Sequence, residues 1–370
     1  MPDEARRAFL TVGVAGAAAA IVRGTDSPSP SGGALTPSPR GDAEDARAVE
    51  LPGFVDLQVN GFAGVDFADP AITPERVLHA VSAIERTGVT RFLPTLVTSS
   101  LEDFSVCAKT LVHAAHPAIA GLHMEGPYIS PEDGPRGAHA RDLVRAADVD
   151  DFRRRQDAAE GRIRLVTLAP ESPGALRLVE HLVGGGVRVA IGHTAASGSQ
   201  IADAVRAGAT LSTHLGNGCA QVLARHPNVI WEQLGEDRLL ASFIVDGHHL
   251  PPATVKAMIR AKTPARSILV TDAIAAAGMP PGTYTLGKQR VALDATGRVA
   301  APGAPNLAGS ALRMNVGVGN TVRFTGLALE DVAPMASTRP AEYLGIRTAG
   351  TVVAEWDPAS FALRVLRVGA

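Results

Sequence analysis

One glutamate, two histidines and one aspartate each close an apolar run of this chain. Glu125 lies in Gly121-Leu-His-Met-Glu-Gly-Pro-Tyr-Ile129, and His193 ends Val187-Arg-Val-Ala-Ile-Gly-His193. His214 ends Ala209-Thr-Leu-Ser-Thr-His214, and Asp272 ends Ser267-Ile-Leu-Val-Thr-Asp272. Runs of this length and composition read as buried strands, the first stopped by Gly126 and Pro127. A charge at such a position is costly unless something pairs with it. One oxygen and two nitrogen donors, with a place left for water, make the donor set of a catalytic divalent-metal site. A metal held by Glu125, His193 and His214 would polarise a carbonyl and activate water. Asp272 would take the water's proton and pass it to a leaving amine. Each residue also has a plainer reading. A strand-end histidine can be a satisfied polar group, Glu125 can cap a turn, and Asp272 can be the N-cap for Ala273-Ile-Ala-Ala-Ala277. Four such residues on four separate strands favour the site over these alternatives.

The elements around them follow one rhythm from Leu51 onward. Strands are expected over residues 53–60, 90–96, 119–125, 163–168, 187–193, 209–214, 239–246 and 267–272. Helices are expected over 74–87, 101–115, 148–159, 173–183, 200–207 and 252–261, with the eighth over 329–344. Residues 130–141 read as a long polar loop, and 278–311 as turns and short inserted strands. Alternation of this kind predicts parallel strands joined by right-handed crossovers. The expected fold is an α/β (β/α)8 TIM barrel over residues 51–349, since strand ends in that fold converge on one mouth. An open doubly wound sheet is the rival. Residues 350–370 alternate like a strand pair and are expected to form a small β appendage. Residues 1–50 do not read as strands, so that appendage is expected to be reduced.

Composition narrows the partners. Lys+Arg 35 against Asp+Glu 37 leaves no basic block for nucleic acid, so a small molecule is the expected partner. Cys107 and Cys219 fit neither a zinc finger nor a disulfide framework. No stretch is long enough to span a membrane. Arg6-Arg7 before the uncharged run 11–22 reads as a twin-arginine export signal, and 24–48 as a flexible linker. Against that signal, a cytoplasmic location is the expected one.

Several motifs stand in an order that resembles the amidohydrolase superfamily from Leu51 to about Gly345. They are Pro52-Gly-Phe-Val-Asp-Leu-Gln-Val-Asn-Gly61, Gly121-Leu-His-Met-Glu-Gly-Pro127, Gly192-His-Thr194 and Thr213-His-Leu-Gly-Asn217. Asp246-Gly-His-His249, Val270-Thr-Asp-Ala273 and Ala308-Gly-Ser-Ala311 complete the set. Within the superfamily the chain is most like the N-acetylglucosamine-6-phosphate deacetylases. That resemblance implies a metal-dependent hydrolase barrel that deacetylates an amino sugar phosphate, releasing acetate. It implies one divalent ion on Glu125, His193 and His214, zinc first, with iron or another divalent ion as alternatives. Asp272 becomes the acid/base and His139 a substrate-binding residue. Asn217, Gly218, Arg225 and His249 fall at positions that hold the sugar phosphate. An arginine like Arg225 reaches across from a neighbouring subunit in the family, which implies a homodimer. Gln58 and Asn60 replace the His-x-His pair with which many relatives bind a second metal. Gly216-Asn-Gly-Cys219 departs from the family's aromatic-Asn-Ala-Met, so another N-acyl sugar or a cyclic amide is the alternative substrate. A non-catalytic binding barrel is a third reading, opposed by the presence of all four chemical residues.

Overall fold

The computed structural model describes residues 45–286, 289–302 and 307–369. Its centre is a run of eight parallel strands: Phe54–Val59 (β1), Val89–Val97 (β2), Leu122–Glu125 (β3), Ile163–Leu168 (β4), Arg188–Ile191 (β5), Leu211–Ser212 (β6), Leu240–Phe243 (β7) and Ser267–Leu269 (β8). Each strand is hydrogen-bonded to the next in that order. The first and last meet where the Asp272 N–H donates to the Gln58 carbonyl at 2.9 Å and the Asn60 N–H to the Ala273 carbonyl at 2.7 Å. The sheet therefore closes on itself, as the alternation predicts, and the open-sheet rival is excluded.

Two layers hold the barrel. Val55, Leu57, Leu93, Leu165, Leu211 and Ile268 belong to one buried cluster of strand residues, each at most 1% exposed. A larger cluster joins the opposite strand faces to the helices, as Phe92, Val166, Val189 and Phe243 do with Phe104, Leu178, Ile201 and Val255. The helices begin where the sequence supplies caps. Ser100 accepts the Asp103 N–H at 3.0 Å, Asp148 accepts the Asp151 N–H at 2.6 Å, and Ser197 with Gln200 forms a capping box.

The differences from expectation have local causes. Val229–Gly235 is a helix where none was expected, because its seven residues are too few to show a period. Met314–Thr325 is also helical, although its glycines and β-branched residues have weak helix propensity; burial of Met314, Val318 and Val322 overrides it. The expected helix over 329–344 breaks at Ser337, whose backbone leaves the helical region between Leu329–Ala336 and Thr338–Leu344. The inserted segment is a four-stranded antiparallel sheet, Gly282–Leu286, Gln289–Leu293, Arg298–Ala300 and Leu307–Ser310. The appendage is not built from the tail alone. Arg47–Pro52 pairs antiparallel with Thr351–Asp357, which pairs in turn with Ala362–Gly369. The boundary expected at Leu51 thus falls inside a strand. The Arg6-Arg7 signal lies outside the described residues, and among those described no helix is long and apolar enough to cross a membrane.

Candidate active site

Three of the four predicted chemical residues leave their strands in the same unusual way. His193, His214 and Asp272 follow the ends of β5, β6 and β8 with φ of 50°, 30° and 49°. A side chain on a left-handed backbone costs energy that the surroundings must make good, and such residues gather at functional sites. The ladders consequently stop earlier than the apolar runs do.

The turns bring donors together at the C-terminal mouth. The Nε2 atoms of His193 and His214 lie 3.3 and 3.0 Å from Glu125 Oε1, and 3.1 Å from each other. All three residues are buried. Donors bound to one small divalent ion at about 2.1 Å in tetrahedral array stand about 3.4 Å apart, close to these separations. The tautomer of His193 agrees. His193 Nδ1–H donates to the Pro135 carbonyl at 2.9 Å, which leaves the Nε2 lone pair facing the cluster. Two imidazole nitrogens and a carboxylate oxygen meeting at one buried point suit a shared cation, so the residues fit a metal.

The residues around the cluster orient it. Gln58 Nε2 donates to Glu125 Oε1 at 2.8 Å, and Asn60 Nδ2 donates to Asp272 Oδ1 at 2.6 Å. The pair that stands in for His-x-His therefore holds two carboxylates. Their spacing of two residues put both on one strand face, a signal present in the sequence. His139, from the loop after β3, accepts the Thr98 N–H at Nδ1, so its Nε2–H points at Glu125 Oε2, 3.6 Å away. Nothing in the sequence marked Thr98 or the Pro135 carbonyl. Glu171 was missed as well. Its carboxylate accepts the Thr194 hydroxyl and the Ala195 N–H, pinning the turn that follows His193.

Electrostatics separate the two acids. Burial opposes the Glu125 carboxylate, but His193, His139 and His214 overcome it and hold its carboxyl well below the usual range. Asp272 moves the other way: burial and the Glu125 charge raise it against the opposing pull of His214, His249 and Asn60. Divergent carboxyls in one cleft mark one permanent anion and one group able to carry a proton.

Not every predicted residue joins the cluster. Asn217 and Gly218 line a crevice with His193 and Thr194. A Cβ on Gly218 would stand 2.9 Å from His193 Nδ1, so the loop closes on that ring only because the residue is glycine. A Cβ on Gly216 would meet Leu250 and Met258 instead, so the side chain missing there would start against Leu250. His248 Nε2 donates to the Thr296 carbonyl at 3.1 Å, while His249 Nδ1 is held by Asp246 Oδ2 at 2.6 Å. Arg225 is exposed and its guanidinium has no partner among the described residues.

Comparison with known proteins places this arrangement in context. Residues 49–358 match the amidohydrolase family model. The human N-acetylglucosamine-6-phosphate deacetylase is 38% identical over 321 residues, covering 81% of this chain and 76% of its own. The N-acetylgalactosamine-6-phosphate deacetylase of Escherichia coli O157:H7 is 33% identical, covering 85% and 82%. The crystal structure of N-acetyl-D-glucosamine-6-phosphate deacetylase from Mycobacterium smegmatis superposes with a TM-score of 0.80 at 33% identity, covering 91% of each chain.

Proposed function

From the premise that this chain belongs to the amidohydrolase family, we propose that it hydrolyses the acetamide of N-acetylglucosamine 6-phosphate, giving glucosamine 6-phosphate and acetate. The observation that carries the reading is the convergence of Glu125, His193 and His214 beside a half-buried Asp272. These three residues would hold the divalent ion, zinc in our reading. When bound there, such an ion polarises a carbonyl and acidifies water.

The chain's own groups supply the rest. Asp272 presents the carboxylate oxygen that Asn60 does not occupy, accepts a proton from the attacking water and returns it to the departing nitrogen. Its raised carboxyl suits a group that must hold that proton between the two transfers. His139, kept in its Nε2–H form by Thr98, offers a donor beside Glu125 for the oxyanion that develops on the acetyl carbonyl. Asn217, Gly218, Arg225 and His249 form the sugar-phosphate side, and the unpartnered Arg225 supports a homodimer in which it serves the neighbouring site. We place the enzyme in the cytoplasm, where sugar phosphates occur.

The galactosamine relative favours a second reading, the same chemistry on the 4-epimer. The test is acetate release from both phosphorylated sugars and from unphosphorylated N-acetylglucosamine, with and without a chelator. Chelator-sensitive release, fastest on N-acetylglucosamine 6-phosphate, is expected. Equal rates with and without the phosphate would remove the phosphate claim. A faster rate on the galacto sugar would favour the second reading.

A further inference from the structure

At the end of β7 the chain spends a whole buried carboxylate on one histidine. Asp246 Oδ1 accepts the N–H groups of His248 and His249, both at 2.8 Å, and Oδ2 accepts His249 Nδ1–H at 2.6 Å. Both side chains are nearly enclosed, 8% and 10% exposed. Burial works against the Asp246 carboxylate, but its bond to His249 and the two backbone donors overcome that and keep its carboxyl low. His248 turns away to the inserted sheet, on the Thr296 carbonyl. His249 Nε2 has no hydrogen-bond partner among the described residues, so the nitrogen opposite Asp246 is open to a ligand.

We infer that Asp246 is the positioning residue that makes His249 selective for an anionic sugar. This inference rests on the phosphate reading above. A carboxylate on one imidazole nitrogen fixes how the ring is turned, and a proton on the other nitrogen then has an anionic oxygen to meet. The backbone bonds to Oδ1 fix the turn 246–249, so the turn and the ring's orientation come from one side chain. A neutral substrate end gains little from such a donor. A phosphate gains a charge-assisted bond, so the dyad raises discrimination rather than the rate of the chemical step.

The test is the ratio of kcat/KM for N-acetylglucosamine 6-phosphate to that for N-acetylglucosamine, measured on the metal-loaded full chain. Asp246→Asn keeps an oxygen for the two backbone donors but removes the charge and the acceptor for Nδ1–H. It is expected to lower the ratio about tenfold or more, through KM for the phosphorylated sugar rather than kcat. His249→Gln is expected to lower the ratio at least as far, and the double variant no further than His249→Gln alone. A ratio unchanged in Asp246→Asn would overturn the inference. Additive losses in the double variant would also overturn it, since Asp246 would then act by another route. If Asp246→Asn does not fold, Asp246→Ser gives the same comparison, and inorganic phosphate competition on His249→Gln reads the subsite directly. A wild-type ratio near one would instead defeat the phosphate reading itself, and this inference with it.

Discussion

The two sides of the mouth are built differently. On one side Glu125, His193 and His214 are buried, bonded to one another, and held by Gln58 and the Pro135 carbonyl, with His139 set beside them by Thr98, all from this chain. On the other side the stretch around Arg225 presents Val222 at 89% exposure and Trp231 at 55%. Its arginine has no partner among the described residues. The closed side orders charged donors in advance, which catalysis by fixed electrostatics requires. The open side leaves apolar and cationic groups unpaired, as a surface does when a ligand or a second copy completes it. The closed cluster is thus specified within one chain, and in our reading recognition of the phosphate falls to the open side.

The largest effect should come from the closed side. Asp272→Asn is expected to lower kcat by about 10²- to 10⁴-fold, the usual range for a lost proton-transfer group, with metal content unchanged. Metal analysis beside acetate release checks this. Loss of the metal together with the activity would make Asp272 a ligand and redraw the closed side. Gln58→Ala tests the support of the cluster. Removing an outer partner of a metal ligand is expected to weaken metal affinity about 10- to 100-fold, read by chelator competition. An unchanged affinity would mean that Glu125 is held without it.

On the open side, Arg225→Ala is expected to raise KM for the phosphorylated sugar about tenfold or more, as expected for a lost hydrogen bond to a charged group. Little change in kcat is expected. A comparable rise for unphosphorylated sugar would mean that the open side does not read the phosphate.

The sequence carried the closed side better than the open one, for physical reasons. Strand burial leaves an apolar period, and Glu125, His193, His214 and Asp272 stand out as charges against it. The barrel followed from that alternation. The left-handed turns at His193, His214 and Asp272 left no trace, because only glycine advertises positive φ in sequence. Arg47–Pro52 was missed because its partner, Thr351–Asp357, lies at the far end of the chain and no local pattern encodes that pairing. Met314–Thr325 was missed because burial, not propensity, makes it helical. The role of Gln58 and Asn60 was half legible: their poor ligating chemistry was plain, but their hydrogen bonds to Glu125 and Asp272 needed the closed barrel.

Gly218 lies at the seam between the two sides, and the smallest change there should propagate to both. Its φ is +56°, and an added Cβ would stand 2.9 Å from His193 Nδ1 and 3.1 Å from Cε1. Gly137 packs on the same ring, where a Cβ would be 3.2 Å from Cε1, so the imidazole has little room to retreat. Gly218→Ala therefore has two costs. The left-handed backbone disfavours a side chain by about 1–2 kcal/mol, and the contact pushes His193 against its bond to the Pro135 carbonyl. The expected outcome is a destabilisation of about that size in denaturant titration, with metal affinity reduced severalfold. If stability falls but metal affinity does not, the ring has moved without disturbing its Nε2. The open loop would then be free to vary independently of the cluster it covers.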